Sequence, residues 1–184
     1  QAHARYMEFV KPDGSISYGA FQIHGISKGT LEKLGARGFA DVFDDAAAWL
    51  VSVRGDGDLV LVAHNGDDFD FPVLDALAED VGREAFPYAC LDTIKLARRV
   101  FPGRTGSGSY NLLRLYGDAT HEPLDGHHGA LADARALEPV LAHLVKAGGG
   151  DVEAYVRRFA AAWRKRDAAR AGRRASALLE NEAA

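Results

Sequence analysis

The apolar run Leu59-Val60-Leu61-Val62-Ala63, followed at once by the polar stretch His64-Asn65-Gly66-Asp67-Asp68, constrains this chain more than any other feature. A run that short and rich in β-branched residues reads as a strand covered on both faces, which belongs to an α/β sheet flanked by helices. Its neighbours agree. Ala46, Trp49, Leu50 and Val53 recur at helical spacing behind Asp44 or Asp45 as the cap, and Gly55 to Asp58 turns into the strand. Pro72 suits the first turn of a helix bearing Val73, Leu74, Leu77 and Val81, which Gly82 would end.

The remaining elements obey the same logic. Ala4 to Val10 reads as a strand and Ile23 to Ile26 as a loop entering a short helix. Tyr88 to Leu91 is a second buried strand, with a helix from Thr93 to Val100. Thr105 to Ser109 is a Gly/Ser-rich loop before a short helix carrying Leu112, Leu113 and Tyr116 and closed by Gly117. His128 precedes a long helix running towards Lys146, with a kink expected at Pro139. These elements make one domain over residues 1–150. Residues 151–184 form a docking helix, with Val152, Tyr155, Val156, Phe159 and Trp163 in register, and then a basic Ala/Arg-rich tail.

Composition bounds the function only loosely. With 184 residues, 47% of them hydrophobic, the chain can bury one sizeable core. Its single cysteine, Cys90, forms no intramolecular disulfide, and no apolar run approaches the ~18 residues of a membrane span, so a soluble intracellular protein is expected. A net charge of -4 supplies no general attraction for polyanions. Contact with nucleic acid would have to be local or bridged by cations.

Two polar constellations carry the chemistry. The first, His64 to Leu74, leaves the end of the buried strand, where open α/β sheets collect their catalytic groups, and puts Asp70 at a helix entrance. The second, His128-Gly129-Ala130-Leu131-Ala132-Asp133, puts an imidazole in a loop and a carboxylate in the first helical turn. Each acid has an ordinary alternative use: Asp70 as a helix cap, Asp133 as a complement to the helix dipole. Asp67 and Asp68 read as acidic loop residues, and His64 and Asn65 as residues that brace the loop.

Together these segments resemble the second and third motifs of the DEDDh exonuclease family, His-Asn-x-x-x-Phe-Asp and His-x-Ala-x-x-Asp. The likeness is to the TREX-type three-prime repair exonucleases, supported by His24-Gly25-Ile26-Ser27, Leu91-Asp92-Thr93 and Ser109-Tyr110-Asn111-Leu112, and it spans roughly residues 5 to 147. The resemblance implies a ribonuclease-H-like mixed sheet flanked by helices. It further implies a 3′→5′ exonuclease working with two divalent cations, Mg²⁺ or Mn²⁺, on single-stranded or frayed DNA 3′ ends, with RNA the other candidate substrate. Asp70 and Asp133 would hold metal, and His128, rather than its neighbour His127, would be the general base. His24, Gly25 and Ile26, with Asn65 and Tyr110, would line the substrate site, a packed loop being the competing use for His24 and Ile26. A homodimer through the edge strand Tyr6 to Val10 is implied as well.

One part of the family pattern is absent from these residues. The first motif, an Asp-x-Glu on the opening strand, has no match, since Asp151-Val152-Glu153 comes after three glycines and is a helix cap. The family's first two strands are likewise absent, so the sheet is expected to be incomplete and the chain unstable as it stands. Two readings result: a piece of an active exonuclease, or a catalytically inactive exonuclease-like module that binds nucleic acid or acts as a scaffold. Because Asp70, His128 and Asp133 are all kept, the first is preferred.

Overall fold

The computed structural model describes residues 4–83, 89–124, 129–150 and 155–156. Helices dominate, in the order α1 (Tyr18–His24), α2 (Lys28–Lys33), α3 (Phe39–Arg54), α4 (Asp70–Asp80), α5 (Thr93–Val100), α6 (Leu112–Thr120) and α7 (Ala130–Ala147). Two strands, β1 (Val60–Ala63) and β2 (Ala89–Asp92), precede α4 and α5 respectively. They pair in parallel, Val60 opposite Ala89 through Ala63 opposite Asp92, so their carboxyl ends lie side by side. This succession of strand, turn and helix, used twice, is what gathers the polar residues at one edge of the sheet.

The core forms where α5, α6 and α7 pack on the strands. Leu91, Leu96, Ala97, Leu115, Val140 and Leu144 are buried together, with Val60, Val62, Val100 and Phe101 against them. Truncating any of these leucines to alanine would cost about 2–5 kcal/mol. Tyr155 and Val156 also pack here, as the helical spacing after Asp151 predicts; the rest of 151–184 lies outside the described residues. Helix α3 also contacts α4, with Val42 and Phe43 buried on the first and Phe71 and Ala78 on the second, and Arg83 grips Asp44 with two bonds of 2.8 and 2.7 Å.

Several expectations are corrected. Ala4 to Val10 forms no strand; Val10 alone makes a bridge to Arg37, so the edge on which a dimer was expected is not a ladder. Ile23 belongs to α1, whose end is set by Gly25 in the left-handed region at φ 69°. Helix α3 begins at Phe39 behind Gly38, and the acids expected to cap it are instead ion-paired, Asp44 to Arg83 and Asp45 to Arg37. Gly117 lies inside α6, which is closed by His121 at φ 62°. Strand β1 is half-buried along its length rather than covered on both faces, and its described hydrogen-bonded neighbour is β2. Pro139 sits inside α7. No helix among the described residues is long and apolar enough to cross a membrane.

Candidate active site

The polar edge is built from the turn that joins β1 to α4. Asn65 takes the left-handed conformation at φ 67°, which asparagine tolerates better than most residues that carry a β-carbon. The turn closes on itself: the amides of Asp68 and Phe69 donate to the Asn65 carbonyl and that of Phe71 to the Gly66 carbonyl. Gly66 is required by space, since a β-carbon there would lie 2.6 Å from both the Ala63 β-carbon and the Phe71 ring. Asp70, the first residue of α4, enters the helix directly after this turn, and Phe69 at the cap position makes no side-chain capping bond.

The turn is held from behind by the start of α5. Asp92 Oδ1 accepts from the amides of Asn65 (3.1 Å) and Ile94 (2.9 Å), and its Oδ2 accepts from the amide of Asp67 (3.2 Å). His64 Nδ1 lies 2.9 Å from Thr93 Oγ1, which also donates to the Ala63 carbonyl at 3.3 Å. Lys95 Nζ donates to Asp67 Oδ2, and Asp67 is 2% exposed. Asp67 is thus not the solvated loop acid that its sequence surroundings suggest.

In front of the turn opens a pocket of about 720 Å³. Asp70 from α4, His64 after β1, Asn111 from the cap of α6 and Asp133 from the first turn of α7 line it, with Phe69, Leu112, Leu113 and Leu137 as its apolar walls. Partial burial pushes the Asp70 carboxyl above the ordinary aspartate range; its own backbone amide opposes this and the Asp92 charge adds to it. Burial pushes the His64 imidazole below its ordinary value, against the pull of the Asp92 and Asp133 charges and the nearby Tyr110 backbone. Although that backbone is close, His64 Nε2 meets no acceptor in hydrogen-bonding geometry among the described residues.

Comparisons with known proteins identify the family. The RNase T family model, described as exonuclease, matches residues 1–141. The chain belongs to the exonuclease family. Among curated relatives of this exonuclease domain, DNA polymerase III subunit epsilon of Salmonella typhimurium (strain LT2) is 34% identical over 145 residues, which are 77% of this chain and 54% of that protein. Three prime repair exonuclease 2 of Mus musculus is 29% identical over 140 residues, 72% of this chain and 58% of that protein. The chain therefore spans a little over half the length of the curated relatives it matches. A solved structure, exonuclease X in complex with 5′ overhanging duplex DNA, superposes with a TM-score of 0.57 at 26% identity, covering 80% of this chain and 76% of that one. The ribonuclease-H-like exonuclease fold expected from the sequence is the fold of this chain.

Within the exonuclease domain the expected site residues divide into two groups. Asp70 and Asp133, far apart in sequence, line one pocket. His128, the expected base, lies outside the described residues. The expected substrate residues are not in the pocket lining: Tyr110 packs on the core and donates its hydroxyl to the Phe101 carbonyl at 2.6 Å, Asn65 is exposed with its amide on Asp92, His24 and Gly25 form the exposed end of α1, and the half-buried Ile26 follows with its amide on His24 Nδ1. Asp92, Thr93 and Lys95 were not singled out by the sequence as site residues. The available signal was an aspartate and a threonine closing the otherwise apolar Ala89-Cys90-Leu91.

Exonucleases of this family generally use divalent metal ions. Asp70 and Asp133 suit a hard cation: both supply carboxylate oxygens, and a positive ion would relieve the desolvation that raises the Asp70 carboxyl. Among the described residues no group of three or more metal-binding side chains converges. Two carboxylates can hold one Mg²⁺, which keeps several waters, whereas the second cation of the pair that the resemblance implies would need further ligands.

Proposed function

We propose that the protein hydrolyses the terminal phosphodiester bond at DNA 3′ ends, in the 3′→5′ direction and with two divalent cations, Mg²⁺ or Mn²⁺, provided that an Asp-x-Glu motif, absent from these residues, completes the metal site with Asp70 and Asp133. The observation that carries this reading is the presence of Asp70 and Asp133, from the starts of two different helices, in the lining of one open pocket beside a turn whose sequence resembles an exonuclease motif. The pairing of this fold with a DNA-bound neighbour and with a three prime repair exonuclease supports DNA as the substrate class.

The bound cation would stabilise charge on the reacting phosphate and lower the pKa of an attacking water. The chain's own residues do the rest. Asp70 and Asp133 bind and orient the cation, and the apolar walls at Leu112, Leu113 and Leu137 seat the terminal nucleotide and exclude water around it. His128, five positions before Asp133, takes the proton of the attacking water.

The test tracks the shortening of a 3′ single-stranded oligonucleotide by the full-length protein in Mg²⁺ or Mn²⁺. Asp70→Asn and Asp133→Asn should each lower the rate roughly a thousandfold, about 4 kcal/mol, with the fold intact by circular dichroism. Near wild-type rates in either variant would overturn the assignment. Shortening from the 5′ end, or binding without cleavage in the unaltered protein, would favour the non-catalytic module.

A further inference from the structure

Asp92 has no exposed surface, and it uses both carboxylate oxygens on main-chain donors. One of these bonds is ordinary: accepting from the Ile94 amide caps α5. The other two go to Asn65 and Asp67, 27 and 25 positions earlier. A cap needs neither. They bind the two alternate amides of the β1–α4 turn to a single carboxylate, which fixes how that turn is wound.

The fixing matters because the turn leads straight into Asp70. The Asp68, Phe69 and Phe71 amides are committed to carbonyls of the turn itself, so Asp70 starts α4 with its backbone direction determined. The turn also passes through the left-handed residue Asn65 and the crowded Gly66, a conformation that persists only when its surroundings impose it. Thr93 and Lys95 reinforce the same grip, through His64 and Asp67.

We propose that Asp92 is a positioning residue for Asp70, its carboxylate setting the β1–α4 turn so that Asp70 is presented to the pocket shared with Asp133. This rests on the proposed function for its catalytic consequence. The hold on the turn itself does not.

Two substitutions separate this from plain capping. Asp92→Ser keeps a good cap for α5 but its short side chain cannot reach the turn. Asp92→Asn keeps the shape but points an amide donor at a backbone N–H on one side. A third, Val42→Ala, removes buried volume in α3, outside residues 64–70, and serves as the reference for general loss of stability.

In the full-length protein, below the melting temperatures of all three variants, amide hydrogen exchange over residues 64–70, Mn²⁺ binding, and kcat and KM on a 3′-labelled oligonucleotide are compared. Asp92→Ser and Asp92→Asn are expected to speed exchange in that segment about tenfold beyond the rest of the domain. They should weaken Mn²⁺ binding severalfold and lower kcat about a hundredfold, the scale of a 1 Å misplacement, with KM nearly unchanged. Val42→Ala should leave all of these near wild type. If the Asp92 variants track Val42→Ala in exchange and in kcat, Asp92 is structural only and the proposal is wrong. If the unaltered protein neither binds Mn²⁺ nor degrades DNA, the proposed function fails, and the exchange contrast alone decides whether Asp92 holds the turn.

Discussion

Gly66 and Phe71 meet twice: the Phe71 amide donates to the Gly66 carbonyl at 2.9 Å, and the Phe71 ring fills the space that a side chain at position 66 would occupy. Phe71 is 3% exposed and Ala63 crowds the same point from the strand, so neither neighbour can give way cheaply. Gly66→Ala should therefore destabilise the domain by about 1–3 kcal/mol, the usual cost of overpacking. Thermal unfolding monitored by circular dichroism measures this. An unchanged melting temperature would mean that the turn relaxes without penalty.

The pair of Lys95 and Asp67 is asymmetric, the acid buried and the base about a third exposed. Lys95→Met removes a cation from beside a buried carboxylate and should cost about 1–3 kcal/mol after allowance for the solvent at the lysine end. Adding Asp67→Asn should restore part of the loss. Chemical denaturation of both single variants and the double variant gives the coupling, and strict additivity would show that the pair contributes nothing beyond its parts.

His64 makes stability depend on pH. Because burial lowers its folded pKa below the unfolded value of 6.5, the unfolded chain takes up the proton first. The stabilisation from the neutral ring is present above about pH 6.5 and falls as the pH drops through that value and on to the folded pKa. Melting temperatures measured from pH 8 down to pH 5 should decline more steeply for the wild type than for His64→Gln. Parallel curves would remove His64 as the cause.

His128 is the sharpest mechanistic test of the third motif. His128→Ala should lower kcat ~10²–10⁴-fold with little change in DNA binding, and His127→Ala should behave nearly as wild type. Raising the pH should partly rescue His128→Ala, since hydroxide needs no base. A pH–rate profile of both variants at saturating Mg²⁺ decides it, and the large loss appearing at His127 would put the motif one residue out of register.

Strands and helices with strong local signals were legible in the sequence. Helix α5 runs from Thr93 to Val100 as its spacing predicts, and β1 is one residue shorter than its apolar run. Where partners far along the chain decide the outcome, local pattern failed. Ala4 to Val10 has the residues of a strand but only Val10 finds a bridge partner, and a strand exists only through its ladder. Asp44 and Asp45 have the chemistry of caps, yet Arg83 and Arg37 claim them. The site divides in the same way: Asp70 and Asp133 could be read from motif spacing, whereas the grip of Asp92 and Lys95 on the turn depends on residues 25 to 28 positions away.

The register that sets Ala63 beside Asp92 makes two short stretches of chain inseparable in length. Side chains alternate faces along a strand, so deleting one residue from Val60–Ala63 or from Ala89–Asp92 would turn Asp92 away from the amides it serves. Descendants of this gene are bound by that register. They can alter the two strands only by substitution, or by compensating changes in both at once.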